Sequence, residues 1–356
     1  MLNPDAFHLH FPYAYGEPAN TGRLRTAPED FFVEERLAFE PDGEGEHVLV
    51  CIEKRQLNTE DVARCLGKQF GLKNVDVSYA GMKDRNAVTR QWFSLTLPGR
   101  PTPESFELPA GATLLAVKRH SRKLKKGALK ANDFVLRIQA LQGGRDDIEA
   151  RLHTIATQGV PNYFGEQRFG RARQNLLQAD KLFAGALRAK RHQQGLYLSA
   201  ARSWLFNLVL AERVRQGNWN QALAGDAFIF DDSLQYFVEE HISTETLTRL
   251  NDMQIHPSGP LWGRGQDFLC AEALQLEARL LAPYQAWCEA LERRGLKQQR
   301  RSYRLVPQGL SYDWQSEEVL ELRFSLPRGS YATSVMRELF VDNDTRNQKP
   351  GTEPSA

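Results

Sequence analysis

The sequence has little cysteine and no metal-binding pattern. Cys51, Cys65, Cys270 and Cys288 form no C-x-x-C pair and stand among apolar neighbours. They read as small core residues of a reduced, cytoplasmic protein. The eight histidines show neither H-E-x-x-H nor Cys/His ligand spacing; His8 and His10 read as a surface pair, and no metal is expected. A Walker sequence and G-x-G-x-x-G are both missing, so no nucleotide cofactor is expected. No apolar run approaches the roughly 18 residues of a membrane span. Met1-Leu-Asn-Pro-Asp-Ala-Phe7 has no basic stretch followed by an apolar one, so no signal peptide is expected. Without coiled-coil heptads or a long apolar edge, a monomer is the expectation.

Net charge is nearly absent too, at +2, but its distribution is uneven. Val117 to Lys130 carries seven Lys or Arg and no acid, whereas Pro28 to Glu46 carries eight acids and one Arg. A basic cluster on a near-neutral chain reads either as a local polyanion footprint or as a solvated face. Its candidate phosphate contacts are Lys118, Arg119, Arg122, Lys123, Lys125 and Lys126. With 41% hydrophobic and 25% charged residues in 356, the chain fits a soluble globular protein of about two domains.

Up to about residue 141 the chain reads as strands with one helix. Gly22–Thr26 and Phe31–Leu37 flank a Pro28-Glu-Asp30 turn, and His47–Glu53 is the next strand. Thr59 then caps a helix with Val62, Cys65, Leu66 and Phe70 at helical spacing and Gly71 after its end. Thr113–Val117 is a strand, and Phe134, Leu136 and Ile138 alternate on one strand face. The period then changes. Asp146–Gln158, Asn175–Ala189, a helix capped by Ser199, and Phe268–Arg294 broken at Pro283 all read as helical. The strand period returns at Val319–Leu326, with Leu320, Leu322, Phe324 and Leu326 on one face and Glu321 and Arg323 on the other. One strand cannot satisfy its own edges, so it is expected to rejoin the N-terminal sheet. The helical block is then an insertion, with a cleft between two bodies where a ligand would sit.

Four stretches carry polar or aromatic chemistry. In Ala80-Gly-Met-Lys-Asp-Arg-Asn-Ala-Val-Thr-Arg-Gln91 the acid Asp84 stands between Lys83 and Arg85. Flanking cations favour the charged carboxylate, as a nucleophile requires, and the same residues also suit a polar turn. In Leu129-Lys-Ala-Asn-Asp-Phe134, Asn132 offers a donor and an acceptor to a pyrimidine edge, or an Asx turn. Val160-Pro-Asn-Tyr-Phe-Gly-Glu-Gln-Arg-Phe-Gly170 interleaves aromatics with turn residues, as stacking platforms or a hydrophobic hinge would. In Leu326-Pro-Arg-Gly-Ser-Tyr-Ala-Thr-Ser-Val-Met-Arg-Glu-Leu339, Ser330 can cap a helix at whose start Tyr331 stands.

These four stretches, with Leu198-Ser-Ala-Ala-Arg-Ser-Trp-Leu-Phe-Asn207, resemble tRNA pseudouridine synthases of the TruD family in unbroken order from about Thr21 to Leu339. The resemblance implies an α+β fold: a catalytic domain with a mixed, largely antiparallel sheet, and an inserted, mainly helical domain. The expected boundaries are 1–158 with 306–341 for the catalytic domain and 159–305 for the insertion. Residues 342–356 lack apolar anchors and are expected to be a disordered tail. The implied activity is isomerisation of uridine 13 of tRNA, with tRNA as partner and no cofactor. Motif by motif, the catalytic Asp falls on Asp84, the arginine that orients it on Arg25, and substrate contacts on Phe31, Asn132 and Tyr331, with Lys83 and Phe134 beside them. Ala131 departs from the family's frequent Gly before Asn132. An RNA-binding, tRNA-folding chaperone shares the same basic and aromatic features. A glycoside enzyme would require a second carboxylate facing Asp84, where the motif offers cations.

Overall fold

The computed structural model describes residues 7–231, 233–265 and 268–343, and the chain divides into two units. A sheet unit takes Ala19–Ile148, Pro307–Gly329 and residues 340–343. A helical unit takes residues 7–18, Glu149–Val306 and Ser330–Leu339. Residues 7–18, 149–158 and 330–339, expected in the catalytic domain, fall instead in the helical unit. The residues 344–356 of the expected tail lie outside the described residues, while Asp342 is in a short strand.

The strands of the sheet unit are β1 (Thr21–Leu24), β2 (Phe31–Leu37), β3 (His47–Arg55), β4 (Val77–Tyr79), β5 (Val88–Thr96), β6 (Ala112–His120), β7 (Leu129–Gln142), β8 (Gln308–Ser316), β9 (Val319–Pro327) and β10 (Val341–Asp342). They form one ten-stranded sheet in the order β8-β9-β7-β2-β5-β3-β6, with β1 pairing β7 and β10, and β4 pairing β5. The β2–β5 and β1–β10 pairs are parallel and the others antiparallel. β3 is apolar on both faces because both are covered. Val48, Val50 and Ile52 pack with Val62 and Leu66 of helix α1 (Thr59–Phe70), while Leu49 joins Leu124 and Leu129 on the other side.

The C-terminal strand does rejoin this sheet. In β9, Leu320, Leu322 and Phe324 lie opposite Ile138, Leu136 and Phe134 of β7, and the rings of Phe134 and Phe324 stack at 5.4 Å. The charged side of β9 is not simply solvated. Glu321 is only 3% exposed, and the guanidiniums of Arg137 and Arg323 pair with its carboxylate. The acidic and basic segments also meet. His120 lies flat on Phe39 at 4.4 Å, and Asp42 pairs with His120 and accepts from Ser121.

The helical unit centres on one 25-residue helix, Arg191–Arg215. Its Trp204 packs edge-on against Phe7 at 5.4 Å, and Phe7 stacks on Trp287 at 5.5 Å. Phe11 stacks on Tyr163 at 5.0 Å, so large buried rings hold the N-terminal segment. Ser199 lies inside this helix rather than at its cap. The helix expected over Asn175–Ala189 runs only over Gln174–Phe183, with Gly185 at φ +74 beyond it. Pro283 interrupts the next helical stretch, between Ala271–Leu281 and Gln285–Arg293. The unit also holds a four-stranded sheet, ordered Tyr236–Glu239, Asp226–Phe230, Ile255–Leu261, Gln299–Ser302. Ile255-His-Pro-Ser-Gly-Pro-Leu261 carries the turn residues Pro and Gly, which hid this strand from a reading of propensity.

Candidate active site

The site in the sheet unit begins where β1 stops. Arg25 adopts φ +65, a left-handed conformation uncommon for a residue with a Cβ. The chain then enters the Pro28–Asp30 turn. Asp30, 4% exposed, holds that turn: its carboxylate accepts the Ala27 N–H at 2.7 Å and Gln139 Nε2 at 2.9 Å. The bend sends the Arg25 side chain across the Phe31 ring, 4.0 Å from its centroid. From there Arg25 Nη2 donates to Asp84 Oδ2 at 2.8 Å. Both partners stay partly exposed, at 25% and 41% of their side chains, so the carboxylate is fixed yet reachable.

The Asp84 loop joins β4 to β5 and is fastened at Ala80, Gly81, Lys83, Asp84 and Arg85. Ala80 O accepts from Gly127 N–H at 2.8 Å. Gly81 O accepts from Gln91 Nε2 at 2.5 Å, and Lys83 N–H donates to Thr59 Oγ1 at 3.0 Å. Thr59 Oγ1 in turn donates to Gln91 Oε1 at 2.9 Å. Thr59 is thus the first helical residue rather than the cap, which is Asn58. Its hydroxyl serves the loop. The Asp84 carbonyl accepts from Lys54 Nζ at 3.0 Å, and Arg85 Nε donates to Gln56 O at 3.3 Å. Thr59, Gln91 and Lys54 are fully buried. Hydrogen bonds made out of water bind a loop more tightly than exposed ones.

Other expected contacts face inward. Lys83 pairs its ammonium with Glu35 in a buried ion pair, and Glu35 Oε2 also accepts the Trp92 N–H at 3.0 Å. Burial pushes the Glu35 carboxyl up, against the pull of Lys83. Phe31 is 3% exposed and meets Phe134 edge-on at 6.2 Å. In this arrangement Phe31 backs Arg25 and Phe134 backs Phe31, and neither ring offers a face to solvent. Asn132 lies in β7, half-buried, and its Oδ1 has no hydrogen-bond partner among the described residues.

Tyr331 belongs to the helical unit, directly before the helix Ala332–Leu339. Ser330 is therefore one residue too early to be its cap. The Tyr331 hydroxyl accepts from Arg168 Nη2, and its ring meets Phe164 edge-on at 6.2 Å. Arg168 Nη1 donates to Ser199 Oγ at 3.2 Å. Asn207 clamps Phe164 by accepting its N–H and donating to its carbonyl, both at 2.9 Å. Tyr163, Phe164 and Phe169 are all buried, so these aromatics are core, and Arg168 is the charged side chain of that stretch that reaches Tyr331.

The basic run divides in two. Lys118, Arg122, Lys125 and Lys126 are exposed. Arg119 instead turns back onto acceptors of Thr102, Gly45, Leu97 and Arg100, and Lys123 Nζ donates to Val75 O. Those two cations bind the protein's own loops. Among the described residues, no group of three or more His, Cys, Asp or Glu is placed to hold a metal, and no helix is long and apolar enough to cross a membrane.

The sequence profile of the family described as tRNA pseudouridine synthase D (TruD) matches residues 10–177 and 173–339. The chain belongs to this family. It is 46% identical to a tRNA pseudouridine synthase D of Hydrogenovibrio crunogenus, covering 96% of this chain and 98% of that one. It is 47% identical to that of Nitrosococcus oceani, over 94% and 95%. A crystal structure of a Methanosarcina mazei TruD superposes with a TM-score of 0.68 at 21% identity, over 93% and 96% of the two chains, which bears on the fold. The family's profile spans both candidate clusters.

Proposed function

We propose that this protein isomerises uridine 13 of tRNA to pseudouridine, in the cytoplasm, as a monomer and without metal or cofactor. The N1–C1′ bond breaks, the uracil turns while held, and C5 bonds to C1′; C5 gives up a hydrogen and N1 gains one, so nothing is consumed. The observation that carries this reading is the 2.8 Å Arg25–Asp84 pair on a fastened, solvent-reachable loop in a chain of this family. Asp84 supplies the carboxylate that attacks C1′ or C6 or takes the C2′ proton. Arg25 orients it through a charge-assisted hydrogen bond, about twice as strong as a neutral one. Tyr331 stacks on the base, and Asn132, whose buried amide oxygen has no hydrogen-bond partner among the described residues, reads the uracil edge. Phe31, Phe134 and Lys83 act through support of Arg25 and the loop. Lys118, Arg122, Lys125 and Lys126 hold phosphates, offsetting the few kcal/mol needed to flip the nucleotide out.

The test uses an unmodified tRNA transcript with uridine at position 13, treated with wild type and with Asp84→Asn. Pseudouridine is mapped by carbodiimide modification and primer extension. A stop at position 13 with wild type alone is the expected result. Tight binding by both proteins and no stop with either overturns catalysis in favour of a tRNA-folding role.

A further inference from the structure

Lys54 is fully buried, yet among the described residues no carboxylate pairs with it. Its Nζ donates to two backbone carbonyls, Leu57 O at 2.8 Å and Asp84 O at 3.0 Å. It follows Val48, Val50 and Ile52 in the inward phase of β3, where an apolar side chain of equal length would pack without taking a charge out of water. A buried ammonium answered only by carbonyls is unfavourable for stability. Its presence there calls for another reason, and one of its two acceptors belongs to Asp84.

We propose that Lys54 is a positioning residue for the reaction: it fixes the Asp84 peptide, hence the direction of the carboxylate, and supplies a second positive charge beside that of Arg25. This rests on the reading of Asp84 as the reacting carboxylate. The charged groups around the ammonium are Asp84, Lys83 and Glu35. Burial brings Lys54 down from 10.5 to about 8, with Asp84 pulling the other way. The rate therefore falls as pH rises through about 8 and the ammonium is lost. Stability moves oppositely. With the folded-state value below the unfolded one, the unfolded chain binds more protons between the two, and rising pH there favours the folded state. Loss of rate on the alkaline side without loss of fold is the signature of this group.

The experiment compares single-turnover pseudouridine formation by wild type, Lys54→Met, Lys54→Arg and Asp84→Asn from about pH 6 to about pH 10. Lys54→Met is expected to lose about 10²-fold in rate, as a small misplacement of a reacting group does, with tRNA affinity unchanged. Lys54→Arg, which keeps its charge, is expected to recover most of the rate and move the alkaline fall upward. A wild-type rate for Lys54→Met beside an inactive Asp84→Asn overturns the role of Lys54 alone. An active Asp84→Asn overturns the reading beneath it. If Lys54→Met does not fold, Lys54→Arg decides: an alkaline fall moved upward relative to wild type supports the proposal, and superimposable profiles overturn it.

Discussion

The two candidate clusters hold their key side chains by different forces. Around Asp84 the fastening is ionic and polar: Arg25, Lys54, Thr59 and Gln91 each bond to the loop or its neighbours, mostly out of water. Around Tyr331 it is aromatic with a single cation: the ring meets Phe164 edge-on and its hydroxyl takes a hydrogen bond from Arg168. A charge that must react needs direction and neutralisation. A ring that must grip a base needs an open face on a firm backing. The first arrangement is intolerant of small polar changes, while the second tolerates them as long as the ring remains.

The sharpest way to break that contrast is Asp84→Asn, which keeps shape and removes charge. We expect a loss on the order of 10⁴-fold or more in single-turnover rate, with tRNA binding retained in a filter assay. Arg25→Gln comes next, with about 10²–10³-fold lost, the usual effect of removing one preorganised charge-bearing donor. Tyr331→Ala should forfeit roughly 1–3 kcal/mol of base stacking, visible as weaker binding of substrate tRNA. Replacing Lys118, Lys125 and Lys126 by Gln should leave the rate at saturation alone. It should reduce the steepness of log K against log salt by about 0.7–0.9 for each phosphate no longer neutralised. Arg119→Gln is its control, expected to lower the melting temperature and leave that slope unchanged. The smallest effect belongs to Tyr331→Phe. The ring survives, and a change within about threefold is expected if stacking is its contribution; inactivation by this substitution would place the chemistry on the hydroxyl.

Much of this architecture is legible in the sequence, because strands and helices announce themselves by period. The return of Val319–Leu326 to the sheet follows from its alternation, and β7 answers it residue for residue. The break at Pro283 follows from a missing N–H. What escaped was of two kinds. The small sheet of the helical unit includes a strand carrying Pro257, Gly259 and Pro260, which reads as a loop until its neighbours are known. Edge strand β8 alternates too weakly, since most of its residues face solvent. The second kind lies in the site. Lys54 stands in phase with Val48, Val50 and Ile52, Gln91 with Phe93, Leu95 and Leu97, and Glu35 with Phe31 and Val33. A polar residue in the inward phase of an apolar strand is the signal that marks all three. Motifs pass over it, because they single out runs of charge such as those holding Lys83 and Arg119, which the fold turns inward. Whether a cation faces substrate or its own loops depends on which carbonyls the fold leaves unanswered.

Glu338 is fully buried. Its carboxylate accepts the N–H groups of Ala14 and Tyr15, and Arg337 bonds to the carbonyls of Phe11 and Pro12. These contacts span more than three hundred positions along the chain. On a ribosome the first residues of the helical unit therefore emerge long before the helix that receives them. Neither body can be finished until residues 330–342 leave the exit tunnel. A nascent chain stalled before Arg337 would leave the Phe11 and Pro12 carbonyls and the Ala14 and Tyr15 N–H groups without these partners. A gene fragment cut at 149 and 306 would encode most of the helical unit yet omit both ends that close it. Making that unit alone calls for a permuted gene in which the segment ending at Leu339 is joined to the one beginning near Phe7, not for a truncated one.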